Sequence, residues 1–258
     1  MGFVEISNVR KIFRSKAKEV VALDEANLAF DEGEFVSLLG PSGCGKTTLL
    51  TIVAGLVLST SGSVKVGGQE VTGPYSDYGF VFQQPSLMPW RSVLQNVLFP
   101  MEILRRSDAQ AKARAEQLLE LTGLQAFANA RPHELSGGMQ QRVSLCRALI
   151  HKPKLLLMDE PFGALDEFTR LDMNDLLLKI KAETGASVLF VTHSISEAIY
   201  LSDKVVVFTR RPARVSAEFQ INIPGPRNQA CRFTPEFTEA ERRASEALGL
   251  LAASGLEH

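Results

Sequence analysis

Gly40-Pro41-Ser42-Gly43-Cys44-Gly45-Lys46-Thr47 reads G-x-x-x-x-G-K-T, the spacing of a phosphate-binding loop. Such a loop needs a strand before it and a helix after it. Both are legible: residues 35–39 are a buried apolar run, and residues 47–54 read as a helix. Glycine lets the backbone come up to an anion, because no side chain intervenes and positive φ is open to it. The amides of Gly43, Cys44, Gly45 and Lys46 are expected to converge on phosphate oxygens, with the positive end of the helix behind them. In such a loop Lys46 reaches the β and γ phosphates and Thr47 ligates Mg²⁺.

Three further strand ends carry polar residues. Residues 154–158 are apolar enough to be a strand buried on both faces, and they end in Asp159 and Glu160. The carboxyl edge of an α/β sheet is where ligands bind. After a phosphate loop, Asp159 therefore reads as a Mg²⁺ ligand and Glu160 as the group that activates water. The run 187–191 ends in Thr192-His193, which makes His193 either a γ-phosphate contact or a structural histidine. Residues 78–82 run into Gln83, which either reaches a metal or water or is an ordinary loop residue. Phe13 has two readings as well, a ring stacked on adenine or a core aromatic.

The rest of the chain supplies the frame. Short strands are expected at 3–6, 20–23, 27–30 and 63–66, with Asp31-Glu32-Gly33 as a turn and a final strand at 204–208. Arg10, Lys11, Arg14, Lys16 and Lys18 read as a solvated loop. From Pro85 to about His151 the pattern is helical: one helix begins at Ser92, another opens on a capping box at Ser107-Asp108-Ala109-Gln110, and a third is capped by Ser136 and runs through Leu149. Gly137 and Gly138 in its first turn cost about 1 kcal/mol each against alanine. Bare backbone there suits the approach of an anion; the alternative is a tolerated glycine pair. A further helix carries the stripe Met173, Leu176, Leu177 and Ile180 and is capped by Gly185. Residues 223–227 read as a loop and 236–250 as one short helix.

The chain has 258 residues with 45% hydrophobic content, enough for a full core without disulfides. Its three cysteines are far apart, which points to reduced thiols and a cytosolic setting. Lys plus Arg number 28 against 29 Asp plus Glu, so nothing advertises nucleic-acid binding. No apolar run reaches the roughly 18 residues of a membrane span, and no signal peptide is evident. Leu256-Glu257-His258 reads as an expression-tag remnant.

The ordered set resembles the ATPases of the ABC family over roughly residues 3–227. Gly40–Thr47 resembles the Walker A loop, and 155–160 the Walker B strand with its glutamate. Leu135-Ser136-Gly137-Gly138-Met139 resembles the family's signature motif, with Met139 in the usual glutamine place, so that a capping box with Ser136 is missing. Gln83 matches the Q-loop, Ala164-Leu165-Asp166 the D-loop and His193 the switch histidine, followed by Ser194 where many relatives have Asp. Within the family, the stretches 82–90, 161–166 and 211–215 are similar to those of nitrate, sulfonate and taurine importer ATPases.

The resemblance implies an α/β fold: a P-loop NTPase with a RecA-like parallel sheet core, an antiparallel β subdomain and an inserted α-helical subdomain. The ATPase domain spans 1–227 with the helical insertion at about 85–151, followed by a short extension at 228–255. It implies ATP and Mg²⁺ as ligands. Phe13, Gly40, Pro41, Ser42, Gly43, Cys44, Gly45, Lys46, Thr47, Thr48, Ser136, Gly137, Gly138 and Asp166 contact the nucleotide. Thr47, Gln83 and Asp159 hold the metal, and Glu160, His193, Lys46 and Gln83 serve catalysis. The implied partners are a second ATPase subunit, identical or not, placed head to tail, integral-membrane permease subunits and, indirectly, an extracytoplasmic solute-binding protein, with no nucleic acid. The implied place is the cytoplasmic face of the membrane. An ABC ATPase that drives non-transport cell-envelope machinery shares every site residue.

Overall fold

The computed structural model describes residues 2–14 and 19–251. Lys16, Lys18 and the tag-like Leu256–His258 lie outside the described residues. The chain divides into two compact units, Met1–Tyr75 with Val188–His258, and Ser76–Ser187.

Its strands and helices in chain order are β1 (Val4–Arg14), β2 (Glu19–Phe30), β3 (Phe35–Leu39), α1 (Lys46–Val53), β4 (Ser61–Val66), β5 (Gln69–Glu70), β6 (Tyr78–Val81), α2 (Val93–Ile103), α3 (Ala109–Leu121), α4 (Gly137–Leu149), β7 (Leu155–Asp159), α5 (Glu167–Thr184), β8 (Ser187–Thr192), α6 (Ile195–Leu201), β9 (Lys204–Phe208), β10 (Val215–Gln220) and α7 (Pro235–Ala247).

In the first unit, β2, β1, β4 and β5 form an antiparallel sheet in that order. A second set runs β10-β9-β3-β8, with β3 parallel to both β8 and β9 and β10 antiparallel at the edge. Every residue of β3, β8 and β9 is buried. Their predominance of Val, Leu and Phe is what a parallel strand covered on both faces requires. Leu39 pairs with Thr192 in register. The chain therefore leaves β3 as Gly40 and β8 as His193 at the same sheet edge.

In the second unit β6 and β7 pair in parallel, Tyr78 opposite Leu155 through Val81 opposite Met158. Helices α2, α3, α4 and α5 pack together around Val97, Leu118, Leu119, Val143 and Leu145. Ser92 caps α2 with a complete capping box, its Oγ accepting from the Gln95 amide while Gln95 Oε1 accepts from the Ser92 amide. Gly185, at φ 65°, ends α5 in the left-handed conformation as the sequence suggests.

Several expectations change. β1 and β2 are long, so Arg10, Lys11 and Arg14 are strand residues, not a loop, and 20–23 and 27–30 are parts of one strand. The left-handed Asn8 and Glu25 mark irregular points in this pair, which broke the apolar pattern in the sequence. Asp108, not Ser107, caps α3: its Oδ1 accepts from the Ala111 amide at 2.8 Å. On α5 Leu176 is half-buried and Asn174 is buried instead. β10 was not expected at all. No helix among the described residues is long and apolar enough to cross a membrane.

Candidate functional site

The phosphate loop is built within the first unit. Gly45, the N-cap residue of α1, has φ 138°, and a Cβ there would lie 2.6 Å from the Ala22 carbonyl oxygen. Gly43 has φ 71°. These two positions admit glycine for conformational reasons before any ligand is considered. Gly45 has no side chain with which to cap α1, the arrangement that lets an anion serve as the cap. The Lys46 side chain is buried and folds back over the loop, its Nζ donating to the carbonyls of Gly40 at 2.7 Å and Pro41 at 2.9 Å. A phosphate therefore competes with two carbonyl oxygens for this ammonium. Ser42 and Thr47 are exposed, and Pro41 and Thr48 are half-buried. Cys44 is buried, with its Sγ 3.9 Å from Lys46 Nζ.

Arg211 also reaches this loop. Its Nη2 donates to the Gly43 carbonyl at 2.6 Å. The tight turn that presents it is tied by Thr209 Oγ1, which donates to Pro212 O and accepts from the Arg214 amide. The Ala213 and Asp24 amides bond across to Ala22 and Ala213 carbonyls, so turn and β2 form one backbone net, to which the Arg211 side chain ties the loop. The sequence reading assigned Arg211 no place in the site, and no local signal reveals a contact made across 168 residues.

His193 is exposed at the turn between β8 and α6. Thr192 Oγ1 accepts from the Ser194 amide at 3.0 Å and donates to Glu197 Oε2 at 2.5 Å, while Ser194 Oγ accepts from the Glu197 amide. The histidine is thus carried on a hydrogen-bonded knot. Phe13, on β1, is 45% exposed, which removes the core reading. Lys11 Nζ lies 5.1 Å from the centre of its ring.

The second unit carries the other motif residues. Gln83 is exposed, directly after Phe82. Helix α4 holds this loop from beneath: Gln141 Nε2 donates to Phe82 O at 3.0 Å, and Arg147 donates to Pro85 O and Ser86 O at 2.7 and 2.9 Å. Burial lowers the pKa of this Arg147 guanidinium from its ordinary value. Ser136 heads the same helix, its Oγ accepting from the Met139 amide at 3.3 Å. A Cβ on Gly138 would meet Thr169 Cγ2 at 2.6 Å, whereas one on Gly137 would only touch Leu165 at 4.0 Å. Asp166 caps α5, accepting from the Thr169 amide at 3.0 Å and hydroxyl at 2.7 Å. These bonds hold its carboxyl below the usual carboxylate range. The signature glycines, the Asp166 turn and the Gln83 loop are therefore one packed group around α4. Gln141, Arg147 and Thr169 were not anticipated. The one sequence signal was a glutamine on the largely apolar face of α4 that also buries Ser144.

Asp159 and Glu160 are half-buried at the end of β7. Glu160 has φ 42°, a conformation rare for a side-chain-bearing residue and costly enough to be concentrated at functional sites. For Mg²⁺, the donor chemistry fits: Thr47, Gln83 and Asp159 offer hydroxyl, amide and carboxylate oxygens, the hard donors this ion takes. Among the described residues no group of three or more His, Cys, Asp or Glu could hold a metal.

Comparison with known proteins follows the same lines. The ABC transporter family matches residues 23–163. The nitrate import ATP-binding protein of Synechocystis sp. is 43% identical over 251 residues, covering 95% of this chain and 94% of the relative. The taurine import ATP-binding protein of Pelagibacter ubique is 44% identical over 218 residues, 84% of this chain and 82% of the relative. An aliphatic sulfonates import ATP-binding protein of Bacillus subtilis is 40% identical over 240 residues, 93% and 92%. Among solved structures, an ATP-binding cassette in a dimeric post-hydrolysis state bound to ADP and Pi superimposes with a TM-score of 0.74 at 35% identity, covering 84% of this chain and 98% of that one.

Proposed function

The chain belongs to the ABC transporter family of ATP-binding proteins and is an ATPase of the cassette fold, and from that premise we propose that it is the ATP-hydrolysing subunit of an importer. It energises uptake of a small anion or organic solute of the nitrate, sulfonate or taurine kind, delivered by an extracytoplasmic binding protein to a membrane permease. It works at the cytoplasmic face of the membrane. The named relatives support the solute class.

The reaction is phosphoryl transfer to water, in which positioning and charge stabilisation dominate. Two copies sit head to tail, the phosphate loop of one facing Ser136, Gly137 and Gly138 of the other; the dimeric solved cassette supports this arrangement. The amides of Gly43, Cys44, Gly45 and Lys46, together with Lys46 Nζ, hold the phosphates. Thr47, Asp159 and Gln83 would hold Mg²⁺, which would supply charge neutralisation. Phe13 offers its ring to adenine. Glu160 orients the attacking water and takes its proton, and His193 donates to the γ-phosphate.

The observation that carries the transport reading is Trp90. Its side chain is 68% exposed, yet its loop is not loose. The buried Asn96 bonds both the amide and the carbonyl of Met88, Arg131 bonds Trp90 O, and Arg147 holds Pro85 and Ser86. Of the neighbouring apolar residues, Leu87 and Met88 are half-buried and Pro89 is exposed. A rigid loop that presents an indole to solvent suits an interface anchor. Because α4 carries both this loop and Ser136, a shift at the signature is passed to whatever Trp90 touches.

The test is co-expression with the permease and purification from membranes. Trp90→Ala loses the complex while the free subunit keeps its ATPase rate. A Trp90→Ala subunit that still assembles removes the docking role. In the same preparation Glu160→Gln keeps assembly and ATP binding and lowers turnover by about a hundredfold or more, since an amide cannot take the water's proton. Normal phosphate release from Glu160→Gln removes that residue from the mechanism.

A further inference from the structure

The chain beyond β10 is built onto α6, the helix that follows His193. Gln229–Phe233 form a 3-10 turn, and Thr234 caps α7, its Oγ1 accepting from the Phe237 amide. Helix α7 buries Phe237, Ala240 and Ala244, spaced for one face, and packs on α6. Two arginines grip α6 from this segment. Arg227 Nη1 donates to Tyr200 O at 3.0 Å and Ser202 O at 2.7 Å, at the negative end of the helix. Arg232 lies with its guanidinium carbon 4.3 Å from the Tyr200 ring centre and 5.8 Å from that of Phe237, and donates to Ser196 Oγ at 2.5 Å. Gln229 Oε1 accepts from its Nε at 2.8 Å, so the planar group is fixed on its edge as well as its face.

Ser196 stands beside Glu197, and Glu197 closes the knot that carries His193. Its carboxylate accepts from Thr192 Oγ1 and its amide donates to Ser194 Oγ. With one neighbour of His193 bonded to the carboxylate of Glu197 and the other to its amide, the histidine backbone moves only if the head of α6 moves. We propose that Arg232 is a positioning residue for ATP hydrolysis, which reaches from the C-terminal segment, fixes Ser196 and Tyr200 on α6, and through the head of that helix sets the place of His193. The proposal rests on the reading of His193 as the γ-phosphate contact. It gives the C-terminal segment a place in the chemical step that none of the nucleotide motifs supplies.

The test uses the full chain with saturating and limiting ATP. Arg232→Ala lowers kcat roughly tenfold while ATP affinity stays within about twofold, because a positioning group acts on the transition state more than on ground-state binding. Arg232→Lys recovers part of the loss, since lysine keeps the charge and loses the planar stack. Ser196→Ala, which deletes one hydroxyl, lowers kcat about threefold and keeps the fold should Arg232→Ala fail to keep it. His193→Ala lowers turnover to a small measurable residue, and adding Arg232→Ala to it lowers that residue no further, as expected for two residues acting through one point. In NMR spectra the His193 imidazole signals move in Arg232→Ala and in Ser196→Ala. Full kcat in folded Arg232→Ala and Ser196→Ala, with turnover lowered in His193→Ala, overturns the proposal alone. An additive double variant does the same. Turnover retained in His193→Ala overturns the reading of His193 and the proposal with it.

Discussion

Two helices of this chain start at glycines, and they need them for different reasons. At α1 the need is internal. Gly45 has φ 138° and the Ala22 oxygen stands where its Cβ would be. The loop is shaped before any nucleotide arrives. At α4 neither Gly137 nor Gly138 has positive φ. Gly138 is required by contact with Thr169, but Gly137 faces open space apart from an ordinary contact with Leu165. Neither φ nor any close contact among the described residues asks for glycine at 137, which fits the proposed approach of a phosphate there. The first loop needs glycine for its backbone conformation, and the second, on that proposal, for an absent side chain.

Replacing Gly45 by alanine is the harshest way to probe this comparison. The new methyl group is strained by φ and collides with the backbone of β2. The variant is expected to lose about 2–4 kcal/mol of stability and all measurable ATP affinity, read by chemical unfolding and nucleotide titration. A stable Gly45→Ala variant that binds ATP at wild-type strength would break the claim that this glycine is conformationally required.

Gly137→Ala is predicted to part stability from activity. An alanine in the first turn of α4 is tolerated by φ and by space, so unfolding is unchanged or shifted up by as much as about 1 kcal/mol. ATP binding to the phosphate loop is retained. The methyl group holds the phosphate off the amides there, and turnover falls by roughly a hundredfold, the scale for losing the use of one positioned donor. Normal turnover would place the demand for Gly137 somewhere other than a bound phosphate.

Much of this was readable before the structure because it is locally encoded. The phosphate loop, the apolar β3 and β7 and the capped α4 each announce themselves within a dozen residues. What stayed hidden is encoded at a distance or by alternation at an edge. β10 is an edge strand with half its residues exposed, so its sequence lacks the apolar run of β9. β1 was masked by Arg10, Lys11 and Arg14, whose charges find partners in Asp24, the Leu58 carbonyl and Glu19. Ser107 and Asp108 are both good caps, and only the geometry chooses between them. Arg211 on Gly43 and Arg232 on Tyr200 are contacts that no spacing rule reaches.

The smallest expected effect concerns Met139, which sits where a glutamine would complete a capping box with Ser136. The chain contains its own control. At α2 the Ser92–Gln95 pair exchanges both bonds, at 2.9 and 3.2 Å, whereas at α4 only the Ser136 to Met139 bond exists, at 3.3 Å. Met139→Gln adds an acceptor for the Ser136 amide and gives up the contacts of a half-buried thioether. The net gain is expected to be about 0.5 kcal/mol, and Gln95→Met at α2 should lose a similar amount. Paired urea unfolding of the two variants measures both. Turnover decides what the gain means. If α4 starts where it does only for its own stability, Met139→Gln leaves kcat and ATP affinity unchanged. If the loose cap lets Ser136 and Gly137 adjust to a phosphate, closing it raises the KM for ATP or lowers kcat without disturbing the phosphate loop. The helix that lacks an internal reason for its glycine then also gains a functional reason for its incomplete cap.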